Sequence, residues 1–242
     1  MPEPRSDAIF FDLDETLIDD DFNYESSIKA TSEAISRASG RVSPSSVEQA
    51  YRKYSSTYWG AMIGVLVAPS GSNRLEDIRR HVWTEALKMA GDPDPSIVGV
   101  ALLAYEIARR ENPVLYPETN ATLARLQPHF KLGVITNGDL DQQQPKLDAT
   151  DLPRWFQSIT TPDCGYMKPQ VEIFDIALNS LNTMADRAVF VGDSIVWDVA
   201  GANDAGIYSV WINRAGVRRS DDDPIPDAEI DSLNGLDEIV FG

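Results

Sequence analysis

Short apolar runs recur along the chain and predict buried β-strands. They lie at residues 8–11, 132–135, 158–159, 188–191 and 209–212. Runs of this length are typical of strands that are covered on both faces. Helical patterns lie between most of them, at residues 119–126, 170–181 and 198–205. Strands that alternate with helices predict an α/β fold, with a parallel sheet and helices on both of its faces.

The region after the first strand breaks this alternation. Residues 19–112 contain helical patterns only, and the first of these covers residues 20–39 and stops at Gly40. The others begin at Ser43-Pro44, near Ser72 and after Asp94-Pro95. We therefore predict a core domain of residues 1–18 and 113–242 and a helical insertion of residues 19–112. We interpret the insertion as a lid, because it follows directly on a strand end; an insertion without a role in a site is the alternative.

Composition narrows the classes of partner. The chain has 242 residues, 43% of them hydrophobic, and a formal net charge of −17. This charge disfavours nucleic-acid polymers and anionic membranes as partners. A single cysteine, Cys164, leaves no intrachain disulfide and no cysteine-based zinc site. Residues 97–108, the longest helix-like apolar run, are too few for a membrane span, and we predict a cytoplasmic protein.

Two carboxylates follow the first strand. Asp12 and Asp14 are spaced so that their side chains point to the same side of an extended chain. In open α/β sheets, ligands bind outside the carboxyl ends of the strands. Two acids there can share a hard cation, or divide the roles of nucleophile and acid–base group. Alone, an Asp-x-Asp-x-Thr segment is more often a capping or solvated turn.

Two later blocks add groups that suit an anion. Thr136, Asn137 and Gly138 follow the second strand, where a hydroxyl and accessible backbone N–H groups favour phosphate. Lys168, which precedes Pro169, can place a positive charge in a site. Each block alone is a weak signal, since Asn-Gly turns and surface lysines are common.

The last block ends a strand and opens a helix. It contains Asp193, Ser194 and, four residues later, Asp198. Asp193 can hold a hard cation with Asp198 beside it, although Asp198 also fits a first-turn acid that the helix dipole favours. Together, the blocks supply a nucleophile, an acid–base group, oxygen ligands for a metal, a hydroxyl donor and a cation. This set fits a phosphoryl group and its counter-ion.

The blocks resemble the four motifs of the haloacid dehalogenase-like hydrolase superfamily. The residues that carry this resemblance are Phe10-Phe11-Asp12-Leu13-Asp14-Glu15-Thr16-Leu17, Ile135-Thr136-Asn137-Gly138, Lys168-Pro169, and Gly192-Asp193-Ser194 with Asp198, Gly201-Ala202 and Ala205-Gly206. The insertion resembles the four-helix (type 1) cap of this family. Asn137-Gly138, Lys146-Leu147 and Phe156 are similar to its small-molecule phosphatases. Pro145 departs from the pattern, and we expect it to delay or kink a helix there.

The resemblance implies a Rossmann-like core and a Mg²⁺-dependent phosphatase that hydrolyses a small phosphorylated metabolite through an aspartyl phosphate. It implies that Asp12 is the nucleophile and a metal ligand. Asp14 would be the acid–base group, and its backbone carbonyl a further metal ligand. Asp193 would complete the metal site.

The resemblance also assigns the groups around the phosphoryl oxygens. Thr136 and the backbone at Asn137 would bind these oxygens, and Lys168 would neutralise their charge. The supporting residues would be Thr16, Gly138, Ser194 and Asp198. Asp198 would act through a metal-bound water or orient Lys168.

The same residues favour or disfavour the other activities found in this superfamily. A phosphomutase would keep all four motifs and is the main alternative. A haloacid dehalogenase is disfavoured by Asp14 and Asp193, a phosphonate hydrolase by Asp14, and a non-catalytic binding protein by the presence of Asp12 and Asp14.

Substrate choice is expected to come from the helical insertion. Its candidate lining residues are Tyr58, Trp59, Asn73, Arg79, His81 and Trp83. Most of them equally fit packing between helices or a solvated face. The apolar stretch 59–67 fits either a pocket or a dimer contact, and both a monomer and a homodimer remain open.

Overall fold

The computed structural model describes residues 6–66, 73–111 and 113–242, with side chains described outside 57–66, 73–76 and 111. Contacts divide the chain into two units, Met1–Asp20 with Pro113–Gly242, and Asp21–Asn112. The first junction thus lies two residues later than the predicted boundary at residue 18. Asp19 and Asp20 belong to the first unit because the backbone N–H of Asp19 donates to the carbonyl of Val114, and Lys146 bonds to Asp20.

Within these residues, six parallel strands form one sheet in the order β3-β2-β1-β4-β5-β6. They are β1 (Ala8–Phe11), β2 (Lys131–Ile135), β3 (Ser158–Thr160), β4 (Ala188–Gly192), β5 (Tyr208–Ile212) and β6 (Ala228–Ile230). The pattern of apolar runs predicts the first five. It misses β6, a three-residue edge strand that follows an acidic loop and pairs with β5.

Both faces of the sheet are covered, as the alternation of β1 shows. Ile9 and Phe11 belong to one apolar cluster, and Ala8 and Phe10 to another on the opposite face. The helices that contribute to the first cluster are α5 (Thr119–Leu126), α6 (Leu140–Thr150) and α9 (Leu236–Val240). Those that contribute to the second are α7 (Val171–Ser180) and α8 (Ala200–Asp204). The predicted α/β fold, a Rossmann-like parallel sheet with helices on both faces, is confirmed.

Helix α6 contains the unusual Pro145. The helix begins at Leu140 and continues through this proline to Thr150, so the proline does not delay it. Proline lacks the N–H that would bond to the carbonyl four residues earlier, and α6 therefore lacks one internal hydrogen bond at this point.

The second unit consists of helices α1 (Asp20–Ser39, whose first residue belongs to the first unit), α2 (Pro44–Leu66), α3 (Asn73–Ala90) and α4 (Pro95–Glu111). Its core includes three packed aromatic residues: the rings of Tyr51 and Trp83 stack with centroids 4.1 Å apart, and Tyr105 packs edge-on against Trp83. Asp92 is buried there and accepts hydrogen bonds from Ser39 and Arg41.

The candidate lining residues of the insertion have different surroundings. Trp83 is fully buried in the core of its own unit, which agrees with packing between helices, the alternative to a lining role. His81 is exposed and hydrogen-bonded to Tyr54 at 2.8 Å, and the guanidinium of Arg79 lies 6.0 Å from the ring of Tyr105. The side chains of the remaining candidates are not among those described: Tyr58, Trp59, Asn73 and the stretch 59–67. Among the described helices, none is long and apolar enough to cross a membrane.

Gly133 makes the centre of the sheet sensitive to one methyl group. It pairs with Phe10 across β1 and β2, and a Cβ there would lie 2.7 Å from the Phe10 ring and 3.2 Å from Leu181. We expect Gly133→Ala to lower the free energy of unfolding by about 1–3 kcal/mol, because a packed core resists added volume. Urea unfolding followed by circular dichroism measures the change.

A matched glycine provides the control for this substitution. Gly99 lies inside α4, and a Cβ there would meet nothing within 4 Å. We expect Gly99→Ala to raise the free energy of unfolding by about 0.5–1 kcal/mol through helix propensity. A Gly133→Ala protein as stable as wild type would contradict the packing described here.

Candidate active site

The predicted site residues lie at the carboxyl ends of neighbouring strands. Asp12 follows β1, Thr136 follows β2, Asp193 follows β4, and Lys168 lies in the segment after β3. The strand order reverses at β1, which has β2 on one side and β4 on the other. Such reversals create a crevice at the strand ends. The crevice in this protein is a pocket of about 300 Å³. The residues that line it are Asp12, Asp14, Glu15, Thr136, Asn137, Gly138, Lys168, Asp193, Ser194, Trp197 and Asp198.

Lys168 joins two of the acids. Its Nζ lies 2.6 Å from Oδ1 of Asp12 and 2.6 Å from Oδ1 of Asp198, and it is only 2% exposed. Burial alone lowers the pKa of this lysine, but the two carboxylates outweigh it and raise the pKa above its usual value. Lys168 is therefore a buried permanent cation.

The backbone of Lys168 is held by Asn137. The side-chain nitrogen of Asn137 donates to the carbonyl of Lys168 at 3.0 Å, and its Oδ1 accepts from the backbone N–H of Lys168 at 2.7 Å. The peptide bond between Lys168 and Pro169 is cis. Asn137, a predicted phosphate ligand, thus uses its side chain to connect the second and third motifs.

Asp198 is fixed by the turn that precedes its helix. The backbone N–H of Ser194 donates to Oδ2 of Asp198 at 2.9 Å, and Oγ of Ser194 accepts from the N–H of Trp197 at 3.2 Å. The absence of a side chain at Gly192 leaves room for this carboxylate, since a Cβ there would lie 2.4 Å from the carboxylate of Asp198. A π-helical turn, Ile195–Val199, includes the first two residues of the helix predicted over 198–205, and α8 begins at Ala200.

Three carboxylates of this pocket carry more negative charge than Lys168 offsets. Oxygen atoms of Asp12, Asp193 and Asp198 all lie within 4.8 Å of one another. Burial, opposed by Lys168 and reinforced by Asp198, raises the pKa of Asp12 to about 6. Burial and the charges of Asp12 and Asp198 raise the pKa of Asp193 to about 8. A cluster of carboxylate oxygens with excess negative charge fits a hard divalent cation such as Mg²⁺.

Asp14 has different neighbours from Asp12. Its Oδ1 accepts from Nζ of Lys146 at 2.7 Å, and its Oδ2 accepts from Nε2 of Gln143 at 2.8 Å. Lys146 is buried and also bonds to Oδ1 of Asp20 at 2.9 Å. Burial raises the pKa of Asp14 although Lys146 lowers it. The carboxylate of Asp14 therefore lies outside the three-acid cluster of Asp12, Asp193 and Asp198.

Gln143 and Lys146 were not predicted as site residues. Both lie on α6, three residues apart and hence on one face of the helix. The resemblance includes Lys146 without giving it a role, and it does not include Gln143. The spacing of the two residues after Asn137-Gly138 is the signal that could have indicated them.

Supporting contacts fix the loop that carries Asp14. Glu15 has a positive φ of 59° and accepts a hydrogen bond from the hydroxyl of Tyr116 at 2.8 Å. Arg214 lies 3.5 Å from the centre of the Tyr116 ring and donates to the carbonyl of Thr16 at 2.9 Å. The hydroxyl of Thr16 is buried and has no hydrogen-bond partner within the part of the chain that the structure describes. Arg214 and Tyr116 carry no motif that would have identified them.

The raised pKa of Asp193 predicts a pH dependence of the metal-free protein. An acid with a raised pKa in the folded state stabilises the fold at low pH, and this contribution is lost as the pH rises from about 4 to about 8. With EDTA present, we expect the unfolding free energy of Asp193→Asn minus that of wild type to increase by about 3 kcal/mol as the pH rises from about 5.5 to about 8. Urea unfolding at the two pH values measures it. A difference that stays constant with pH would show that Asp193 is not perturbed.

Comparisons with known proteins agree with this arrangement. A family model described as haloacid dehalogenase-like hydrolase matches residues 6–206. A glyceraldehyde 3-phosphate phosphatase from Methanopyrus kandleri is 31% identical over 239 residues, which cover 96% of each protein. A phosphoserine phosphatase from Thermus thermophilus is 34% identical over 157 residues, which cover 64% of this chain and 62% of the relative.

Solved structures share the fold over the full length. A HAD-hydrolase from Bacillus subtilis, YfnB, superimposes with a TM-score of 0.78 at 21% identity, covering 98% of this chain and 99% of that one. A 2-haloacid dehalogenase from Pseudomonas syringae gives a TM-score of 0.65 at 29% identity, covering 98% of both chains. The match of the family model and the full-length relative confirm the resemblance read from the motifs. The chain belongs to the haloacid dehalogenase-like hydrolases.

Proposed function

We propose that this hydrolase is a Mg²⁺-dependent phosphatase that cleaves a small phosphate monoester through an aspartyl phosphate on Asp12. The observation that carries the proposal is the separate environment of two carboxylates in one pocket. Asp12 is ion-paired with Lys168 and belongs to the acid cluster, whereas Asp14 is held by Gln143 and Lys146. Two acids with different partners are suited to two different roles.

The first step is attack by Asp12 on phosphorus. A carboxylate oxygen forms a bond to phosphorus while the bond to the ester oxygen breaks. Both reactants are anions, so Lys168 lowers the barrier by offsetting their repulsion. The hydroxyl of Thr136 lines the same pocket and donates to a phosphoryl oxygen.

Asp14 moves the protons of both steps. It gives a proton to the departing alcohol oxygen, which would otherwise leave as an alkoxide. It then takes a proton from the water that attacks phosphorus and releases phosphate from Asp12. Its raised pKa suits a group that must carry a proton near neutral pH.

Asp12 and Asp193 would hold Mg²⁺, since Asp198 already accepts from Lys168 and from the backbone of Ser194. A backbone carbonyl at Asp14 would add a ligand, as the family resemblance implies. When bound, Mg²⁺ supplies positive charge that offsets charge on the phosphoryl oxygens.

The proposed substrate is a small organic phosphate with a primary alcohol as leaving group. Both curated relatives described above are named for such three-carbon esters, glyceraldehyde 3-phosphate and phosphoserine. The first covers nearly the whole chain, which makes glyceraldehyde 3-phosphate the first compound to assay. We propose that the helical unit, inserted in the chain directly after the loop of Asp12 and Asp14, acts as the cap that selects among esters.

Hydrolysis assays test the proposal. We expect the wild-type protein with Mg²⁺ to release phosphate from p-nitrophenyl phosphate and from glyceraldehyde 3-phosphate or phosphoserine. EDTA should stop the reaction and added Mg²⁺ should restore it. Asp12→Asn should reduce turnover by at least about 10³-fold, because the amide is a poor nucleophile.

The controls separate this activity from its alternatives. Asp163 is an exposed acid that accepts from the backbone N–H of Leu140, and Asp163→Asn, which keeps an accepting oxygen there, should leave turnover unchanged. A phosphomutase would return the phosphoryl group to a sugar phosphate acceptor rather than to water. A dehalogenase would release halide from 2-haloacids and leave all phosphate esters intact. Wild-type protein that hydrolyses none of a broad set of phosphate esters would overturn the proposal.

A further inference from the structure

Gln143 connects two groups to which the proposed phosphatase reaction assigns different tasks. Its Nε2 donates to Oδ2 of Asp14 at 2.8 Å and to Oγ1 of Thr136 at 3.1 Å. A primary amide nitrogen has two hydrogens, so both are used. Gln143 is 2% exposed, and its side chain therefore has little freedom to leave this position.

The amide orientation leaves an unfavourable feature in place. Oε1 of Gln143 is buried and has no hydrogen-bond partner within the described part of the chain. Turning the amide over would point this oxygen at the carboxylate of Asp14, which also lacks a proton to donate when ionised. Buried polar atoms without partners are rare in folded proteins and call for an explanation. The explanation here is that the two N–H groups are directed at Asp14 and Thr136.

The same contacts fix the direction of the Thr136 hydroxyl. Its oxygen accepts from Gln143 and also from the backbone N–H of Gly138, at 3.2 Å. A hydroxyl oxygen accepts at two positions and donates one hydrogen. With both acceptor positions used, the remaining hydrogen must point away from these donors. Thr136 lines the pocket, so this hydrogen is available to a phosphoryl oxygen.

Gly138 leaves the room that the amide needs. A Cβ at this position would lie 2.1 Å from Nε2 and 2.7 Å from Cδ of Gln143. The nearest atoms all belong to the amide end of the Gln143 side chain, so an added Cβ would overlap the amide and not the backbone. An alanine here would therefore displace the amide while leaving the rest of Gln143 in the chain.

We infer that Gln143 is a positioning residue, which holds the acid–base carboxylate of Asp14 and the phosphate-binding hydroxyl of Thr136 in one fixed arrangement. The inference rests on the proposed phosphatase function. Lys146 supports it from the same face of α6, because its bond to Oδ1 fixes the other oxygen of Asp14. Gln143 touches neither the nucleophile nor the acid cluster in any contact that the structure gives.

Two esters with different leaving groups separate positioning from loss of structure. An alkyl phosphate needs a proton from Asp14 as its alcohol departs, whereas p-nitrophenolate leaves without one. Both esters use the Thr136 hydroxyl equally. Displacing Asp14 should therefore slow the alkyl ester more, while general loosening of the pocket should slow both by one factor. The value to compare is kcat/KM, which covers the steps up to departure of the leaving group.

The experiment uses Gln143→Met, which keeps the length of the side chain and removes its hydrogen bonds. We expect kcat/KM to fall about 100-fold for the alkyl phosphate that the wild type hydrolyses best and about 10-fold for p-nitrophenyl phosphate. Gln144→Met is the matched control: Gln144 is the next residue of α6, is exposed and bonds to Asp148. It should leave both values unchanged.

A second variant guards against a Gln143→Met protein that does not fold, which circular dichroism would reveal. Gly138→Ala should displace the amide and lower the ratio of alkyl to aryl kcat/KM in the same direction. Equal losses for the two esters, no loss, or a gain for the alkyl ester in the folded variants would overturn the inference. Wild-type protein that hydrolyses neither ester would instead overturn the proposed function, and the inference with it.

Discussion

The bridge from Lys168 to Asp12 and Asp198 is the interaction on which the rest of the site depends. The lysine is almost fully buried, and removing a charge from water is costly unless it is paired. Its two carboxylates come from the end of β1 and from the turn after β4, strands that are neighbours in the sheet. The pairing therefore fixes the nucleophile, the acid cluster and the loop of Lys168 relative to one another.

The positive charge of Lys168 does not compensate for all the negative charge around it. One lysine faces two carboxylates, and Asp193 adds a third within 4.8 Å. Burial and this excess of negative charge together raise the pKa values of Asp12 and Asp193, so both acids favour the protonated form in the metal-free protein. A divalent cation would compensate for this excess of negative charge. It would replace the protons on the carboxylates and leave Asp12 ionised, as the proposed attack on phosphorus requires. The second acid, Asp14, has its own lysine and is thereby kept apart from this balance.

The sequence predicts those parts of the molecule that depend on neighbouring residues. Apolar runs identify five of the six strands, and the carboxyl-end rule brings together Asp12, Thr136 and Asp193, which come from distant parts of the chain. The strand β6 escapes prediction because three residues at a sheet edge carry too little pattern. Lys146 and Asp14 are 132 residues apart, and no local pattern distinguishes this lysine from one on a solvated helix face. Trp83 is a candidate lining residue that lies in a core instead. The sequence does not distinguish the two, since an aromatic residue in a helical insertion fits a pocket and a core equally well.

Capture of the covalent intermediate tests the central claim most directly. Asp14→Asn protein mixed with p-nitrophenyl phosphate and Mg²⁺ should transfer the phosphoryl group to Asp12, since p-nitrophenolate needs no proton from residue 14. It should then stall, because no base activates the water. Acid quenching, digestion with an acid-active protease and mass spectrometry should find one phosphoryl group on the peptide of Asp12. Steady turnover by the wild type without a phosphoryl group ever found on Asp12, or its capture on a different residue, would contradict the account.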